Sequence, residues 1–157
     1  MSPNVPSVTR RVVLASALAT GGLASLAGAQ KGNDPASEEP TTMKVTMTFN
    51  GQTMVASLYD NPSARDFASL PPLDLTIDDY ADNEKIVYLP RKLTEAASEP
   101  FGNERPGDLC YFAPWGNLAL FYGRYRYSSG LIRLGRFDDG FEPLLVRGEF
   151  PIRIERV

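Results

Sequence analysis

From Met43 onward the chain alternates apolar and polar residues with a period of two. Met43, Val45, Met47 and Phe49 take one side, and Lys44, Thr46 and Thr48 the other, which is the pattern of a strand with one dry face. Met54, Ala56 and Leu58 repeat it against Thr53, Val55 and Ser57, with Asn50-Gly51 between the two runs. Asn and Gly tolerate the positive φ of a type I′ turn, so 43–58 is predicted to be a β-hairpin. Asp60-Asn61-Pro62 then reads as a helix start: an acid or amide to cap, and a proline where no N–H is needed. Ala64, Phe67, Ala68 and Leu70 share one helical side and Pro71-Pro72 stops it, which predicts a short helix over 62–70.

The apolar stretches that follow are shorter: Leu73 to Ile77, Ile86 to Leu89, Leu109 to Phe112, Leu118 to Tyr122, Leu131 to Leu134, Leu144 to Val146 and Phe150 to Ile154, most of them separated by Gly, Pro, Asn or Asp. Many short strands with turn signals between them predict a sandwich or a barrel rather than alternating βαβ units. Residues 91–108 have weak periodicity and contain Pro100, Gly102, Pro106 and Gly107. They read as a long surface loop with one helical turn near Thr94 to Ala97, a common place for a site on a rigid β scaffold.

The first 29 residues differ in kind. They contain no acid; Arg10-Arg11 precedes an apolar run from Val12 to Ala29, which ends in Ala27-Gly28-Ala29. A basic start, an apolar run and a small-x-small end make a secretory signal peptide cut between Ala29 and Gln30, and the arginine pair resembles the twin-arginine export motif. The run is too rich in Ala and Gly for a membrane span, so the expectation is an exported protein, periplasmic or extracellular, with no membrane anchor after cleavage. Residues 30–41 are polar and aperiodic and read as a flexible linker, leaving 42–157 as one folded domain.

Composition narrows the chemistry. The chain has no histidine and one cysteine, Cys110. A Ser-His-Asp triad, a Cys-His dyad, a His-ligated metal, a Cys-rich zinc site and an internal disulfide are all excluded. Beyond residue 29 there are 14 basic and 19 acidic residues, so the broad positive field that nucleic acids require is missing.

The segment Gly107-Asp108-Leu109-Cys110-Tyr111-Phe112-Ala113-Pro114-Trp115-Gly116-Asn117-Leu118-Ala119-Leu120-Phe121-Tyr122-Gly123 is distinctive. Together with Leu89-Pro90, the opening hairpin and the Asn61-Pro62 helix, it resembles the small bacterial and archaeal cyclophilin-like barrel proteins, mostly of unknown function. The resemblance spans about 43–156. It implies a mainly β fold, a closed cyclophilin-like β-barrel with one or two short helices. True cyclophilins are peptidyl-prolyl isomerases, and their site departs from this chain. Their Phe-Met-x-Gln-Gly-Gly strand is absent, so their catalytic arginine cannot be placed, and the Trp and His of their proline pocket have no counterpart. Their pocket Gln would fall on Leu120; Phe121 alone keeps its type.

Candidate site residues follow from these readings. Aromatics crowd 111–127, where Tyr111, Phe112, Trp115, Phe121, Tyr122, Tyr125 and Tyr127 lie. They make either a barrel core with cross-strand pairs or a concave site for a planar or peptide ligand. Alternation forbids Tyr111 and Phe112 from sharing a face. Trp115 sits in a Pro-Trp-Gly-Asn turn, an odd place for core volume. The expected ligand site therefore comprises Trp115, Phe121, Tyr122 and Tyr111, with Arg91 or Arg133 supplying a polar contact.

Other clusters have plainer readings. Arg124, Arg126, Arg133 and Arg136 form a solvated face or hold one anion clamp. Asp78, Asp79, Asp82 and Glu84 match no calcium loop and read as a polar turn. Cys110 is an inert core thiol, and Ser128 and Ser129 lack a base. The expectation is a small-ligand or peptide-binding module with no catalytic residues, no metal and no cofactor. A divergent prolyl isomerase and a structural partner of an envelope protein are the alternatives.

Overall fold

The computed structural model describes residues 40–96 and 98–157; the stretch read above as a signal peptide, the stretch read as a linker up to residue 39, and Ala97 lie outside the described residues. Eight strands form a closed antiparallel barrel: β1 (Pro40–Phe49), β2 (Gln52–Tyr59), β3 (Leu73–Tyr80), β4 (Glu84–Tyr88), β5 (Asp108–Phe112), β6 (Asn117–Phe121), β7 (Leu131–Phe137) and β8 (Phe150–Arg156). Around the barrel the order is β1, β2, β7, β5, β6, β4, β3, β8. One α-helix, α1 (Pro62–Ala68), and a 3-10 turn at Glu142–Leu145 complete it.

The hairpin forms as its alternation requires. Met47 pairs with Met54 and Thr48 with Thr53, and Asn50 and Gly51 both take positive φ, 48° and 70°, as a type I′ turn demands. Val45, Met47, Phe49, Met54, Ala56 and Leu58 fill the barrel, while Lys44 reaches out to Asp138 at 2.6 Å. Strand β1 also takes in Pro40 and Thr41, which the sequence pattern assigns to the linker; Thr41 Oγ1 donates to Leu58 O at 2.7 Å. Helix α1 begins where expected: Asn61 Oδ1 accepts from Ala64 N at 2.8 Å, and Phe67 and Ala68 are buried.

Two expectations fail. Leu144 to Val146 is not a strand but the end of the 3-10 turn, because Pro143 removes a donor that a ladder would need; Leu144 alone is buried, and Leu145 and Val146 are exposed. Asp78 and Asp79 do not belong to a turn: β3 runs on to Tyr80, and the turn is confined to residues 81–83.

Closure depends on one close approach. A Cβ at Gly135 would lie 2.1 Å from Ser57 O, so β7 meets β2 at a distance only glycine permits. Strands β5 and β6 are covered on both faces. Leu109, Tyr111, Leu118 and Leu120 point into the barrel. On the outer side Cys110, Ala119 and Phe121 join Leu131 and Phe101 in a second apolar cluster, against which Phe112, Tyr125 and Tyr127 pack. Segments 98–106 and 122–130 thus add an outer layer to one stretch of barrel wall.

Candidate functional site

The outer layer does not cover the wall completely. It leaves a cavity of about 320 Å³ whose lining includes Glu84, Phe112, Trp115, Asn117, Ala119 and Phe121. Strand alternation explains its shape. On β6 the outward residues are Asn117, Ala119 and Phe121, so the smallest side chain lies between a polar and an aromatic one and leaves a depression. On β4 Glu84 pairs with Phe121, Ile86 with Ala119 and Tyr88 with Asn117. Asn117 and Glu84 therefore stand at opposite ends of the groove, four residues apart along the strands.

The walls are aromatic. Trp115 is edge-on to both Tyr80 and Phe112, with ring centroids 5.4 and 5.5 Å away, and is 49% exposed at the mouth. Phe121 and Tyr125 stack in parallel at the other end, centroids 3.6 Å apart. Tyr125 is anchored at its far end, where its hydroxyl donates to the buried Asp108 Oδ2 at 2.6 Å. Asp108 also receives Arg136 Nη1 at 2.9 Å and Arg105 N at 3.0 Å. Asn83, in the β3–β4 turn, accepts backbone N–H bonds from Tyr122 and Gly123 and donates to Arg124 O, tying the 122–130 segment to the cavity's edge.

Two polar groups are unmatched here, one in the lining and one buried beneath it. Asn117 is 2% exposed; its Nδ2 donates to Leu118 O at 3.0 Å, which fixes the orientation of the amide and leaves Oδ1 buried without a donor. Glu84 makes no ion pair or side-chain hydrogen bond among the described residues, and burial pushes its carboxyl up from the usual value to about 7. Outside the lining, the Glu104 carboxyl is lowered chiefly by the backbone hydrogen bond that its Oε1 accepts from Tyr127 N at 2.7 Å, and to a lesser degree by Arg126, the other charged residue of the lining.

The residues expected to form the site divide. Trp115 and Phe121 line the cavity together. Tyr111 lies on the other face of β5, wholly inside the barrel, with its hydroxyl accepting from Leu93 N at 3.1 Å. Tyr122 packs against the main core and accepts from Arg147 at 2.9 Å. Arg91 is held outside the barrel by both Asp66 oxygens, at 3.1 and 2.7 Å, where Asp66 also caps Thr94 N. Arg133 is buried over the Phe101 ring, 4.4 Å from its centroid, and donates to Asn103. These four have structural partners away from the cavity, as does Leu120, which faces the barrel interior. Cys110 is fully buried and its thiol is pushed up by burial.

Glu84 and Asn117 escape a reading of composition because each looks ordinary there: one ends an acidic run, the other follows a turn. The available signal was a polar residue at each end of an outward-facing strand row with alanine between.

The solution structure of a hypothetical protein from Archaeoglobus fulgidus has the same fold: it superposes with a TM-score of 0.61 at 19% identity, over 77% of this chain and 99% of that one. No curated protein sequence matches this chain. The profile of the cyclophilin-like family matches residues 47–155, most of the barrel, and by that match the chain belongs to the cyclophilin-like family.

Proposed function

We propose that this protein is an exported binding module whose outer-wall cavity takes a small organic molecule, and that it does not catalyse prolyl isomerisation. The observation that carries the reading is the pairing of an aromatic-walled cavity of about 320 Å³ with the half-buried Glu84 carboxyl, which makes no ion pair or side-chain hydrogen bond among the described residues. A few convergent polar groups in a mostly apolar concavity are what small-molecule sites share. The missing isomerase motifs and the absence of histidine support the non-catalytic half of the reading. The apolar run closed by Ala27-Gly28-Ala29 supports export.

Trp115 is the single tryptophan of the chain, so its fluorescence reports directly on the cavity mouth. A small-molecule library should contain compounds that both change that fluorescence and raise the melting temperature, and Trp115→Ala should abolish the thermal shift while leaving the unliganded protein folded. A library without such compounds defeats the reading. A prolyl-peptide isomerisation rate clearly above the uncatalysed one, lost in Phe121→Ala, would replace it with the enzyme.

A further inference from the structure

We propose that the cavity holds a free α-amino acid with an apolar side chain: its ammonium group on the Glu84 carboxylate, its carboxylate on the Arg126 guanidinium, and its side chain laid toward Trp115 and Phe112. This rests on the cavity being a small-molecule site and names the class of molecule.

Glu84 and Arg126 are the two charged residues of the lining. No ion pair joins them, and neither makes an ion pair or a side-chain hydrogen bond with another described residue. Both belong to one end of the cavity. Glu84 pairs across the ladder with Phe121, whose ring stacks on Tyr125, and Arg126 is the next residue. Asn83, which precedes Glu84, accepts from Gly123 N and donates to Arg124 O, so the two segments are drawn together at that end. Glu104 acts on Arg126 from outside the lining, and its Oε1 already accepts from Tyr127 N.

Two opposite charges that flank one end of a cavity without pairing call for an occupant that carries the complementary two. A lone ammonium would answer Glu84 and bring a like charge to Arg126; a lone carboxylate would do the reverse. An α-amino acid carries both groups on one carbon, so a single head serves both residues. Away from that end the lining turns apolar: Ile86, Ala119 and Leu131 lead to Phe112 and Trp115, which calls for an uncharged side chain. A peptide fits less well. A residue within a chain has lost both charges, and a cavity of about 320 Å³ is at the small end for ligand sites.

The test is calorimetric titration of the purified protein at pH 8 with L-phenylalanine. Three relatives serve as comparisons: phenethylamine lacks the carboxylate, 3-phenylpropionate lacks the ammonium, and glycine keeps the head without the side chain. Phenylalanine should bind saturably, and each relative at least about tenfold more weakly. Glu84→Gln should weaken phenylalanine at least about tenfold and leave 3-phenylpropionate no weaker. Arg126→Gln should weaken phenylalanine as much and leave phenethylamine no weaker. That crossed pattern separates contact with the ligand from a general loss of structure. Failure of phenylalanine, leucine and tryptophan alike to bind, a relative as tight as phenylalanine, or unchanged phenylalanine affinity in either variant overturns the proposal. Indole, neutral and planar, separates the two levels. If indole shows a thermal shift that Trp115→Ala removes while the amino acids fail, the amino-acid class falls and the binding site stands. If neither shows a shift and the library also fails, both fall.

Discussion

Tyr125 stacks on Phe121 with the ring planes 6° from parallel, and its hydroxyl donates to Asp108 at the start of β5. One side chain therefore closes an end of the cavity and satisfies a buried carboxylate. The two roles separate on substitution. Tyr125→Phe keeps the stack and removes one charge-assisted hydrogen bond, and should cost about 1–3 kcal/mol in denaturant unfolding with little change in ligand affinity. Tyr125→Leu should cost more and weaken binding as well. Equal stability of Tyr125→Phe and wild type would mean that Arg136, Arg105 and the Arg133 guanidinium, 3.6 Å from Oδ2, satisfy Asp108 without the hydroxyl.

Glu84 gives the protein a pH signature. Its folded-state pKa, about 7, lies above the ordinary carboxyl value. The native state thus holds a proton that the unfolded chain has released, and stability falls as pH rises through that interval. Below the ordinary carboxyl range the group is neutral in both states and the effect vanishes. Glu84→Gln should match wild type near pH 4 and exceed it at pH 8 by about 1 kcal/mol, less than the full shift implies because the carboxyl is partly open to solvent. Arg126 shares the cavity, and the lowered carboxyls of Asp66, Asp79 and Asp138 titrate alike in both proteins and cancel. Parallel stability curves from pH 4 to pH 8 would remove Glu84 from a desolvated position.

Gly135→Ala should destabilise by about 3 kcal/mol or more, or prevent folding, because the new methyl would collide with the Ser57 carbonyl, a backbone atom that cannot step aside. At Gly102 an added Cβ meets nothing within 4 Å, so Gly102→Ala should stay within about 0.5 kcal/mol. Comparable costs at the two glycines would contradict the close crossing of β2 and β7.

Export is checked at the N-terminus. Protein recovered from outside the cytoplasm should begin at Gln30 or within a few residues of it; cytoplasmic protein retaining Met1 or Ser2 would refute the reading. Changing Arg10 and Arg11 to Lys tests the twin-arginine route, since that machinery distinguishes the pairs.

The barrel was legible wherever one face of a strand is wet. The 43–58 hairpin, the Asn61 cap and the strands beginning at Leu73 and Phe150 all carry a period or a punctuation mark. Legibility failed where both faces are dry. In β5 and β6 alternation assigns Tyr111 and Phe112 to opposite sides, but cannot say that the outer side is roofed by Phe101, Tyr125 and Tyr127, because that depends on where distant loops fold back. The same limit split the candidate site. Trp115 betrayed itself as a large aromatic in a turn and lies at the cavity mouth, whereas Tyr111, equally aromatic, serves the interior. Arg91 and Arg133 were indistinguishable from ligand contacts until Asp66 and Asn103 were placed beside them.

The double covering of β5 and β6 divides labour across the thickness of a single wall. Inward residues such as Leu118 and Leu120 answer to barrel closure, while their immediate neighbours Asn117, Ala119 and Phe121 line the groove. Beyond the strands and their turns, the groove is lined by Tyr125, Arg126 and Ser128 of segment 122–130, which contributes no strand. A lineage could therefore redraw the cavity by exchanging that segment and three alternate side chains of β6, leaving the closure of the barrel untouched. The lining of the groove is free to drift faster than the fold that carries it.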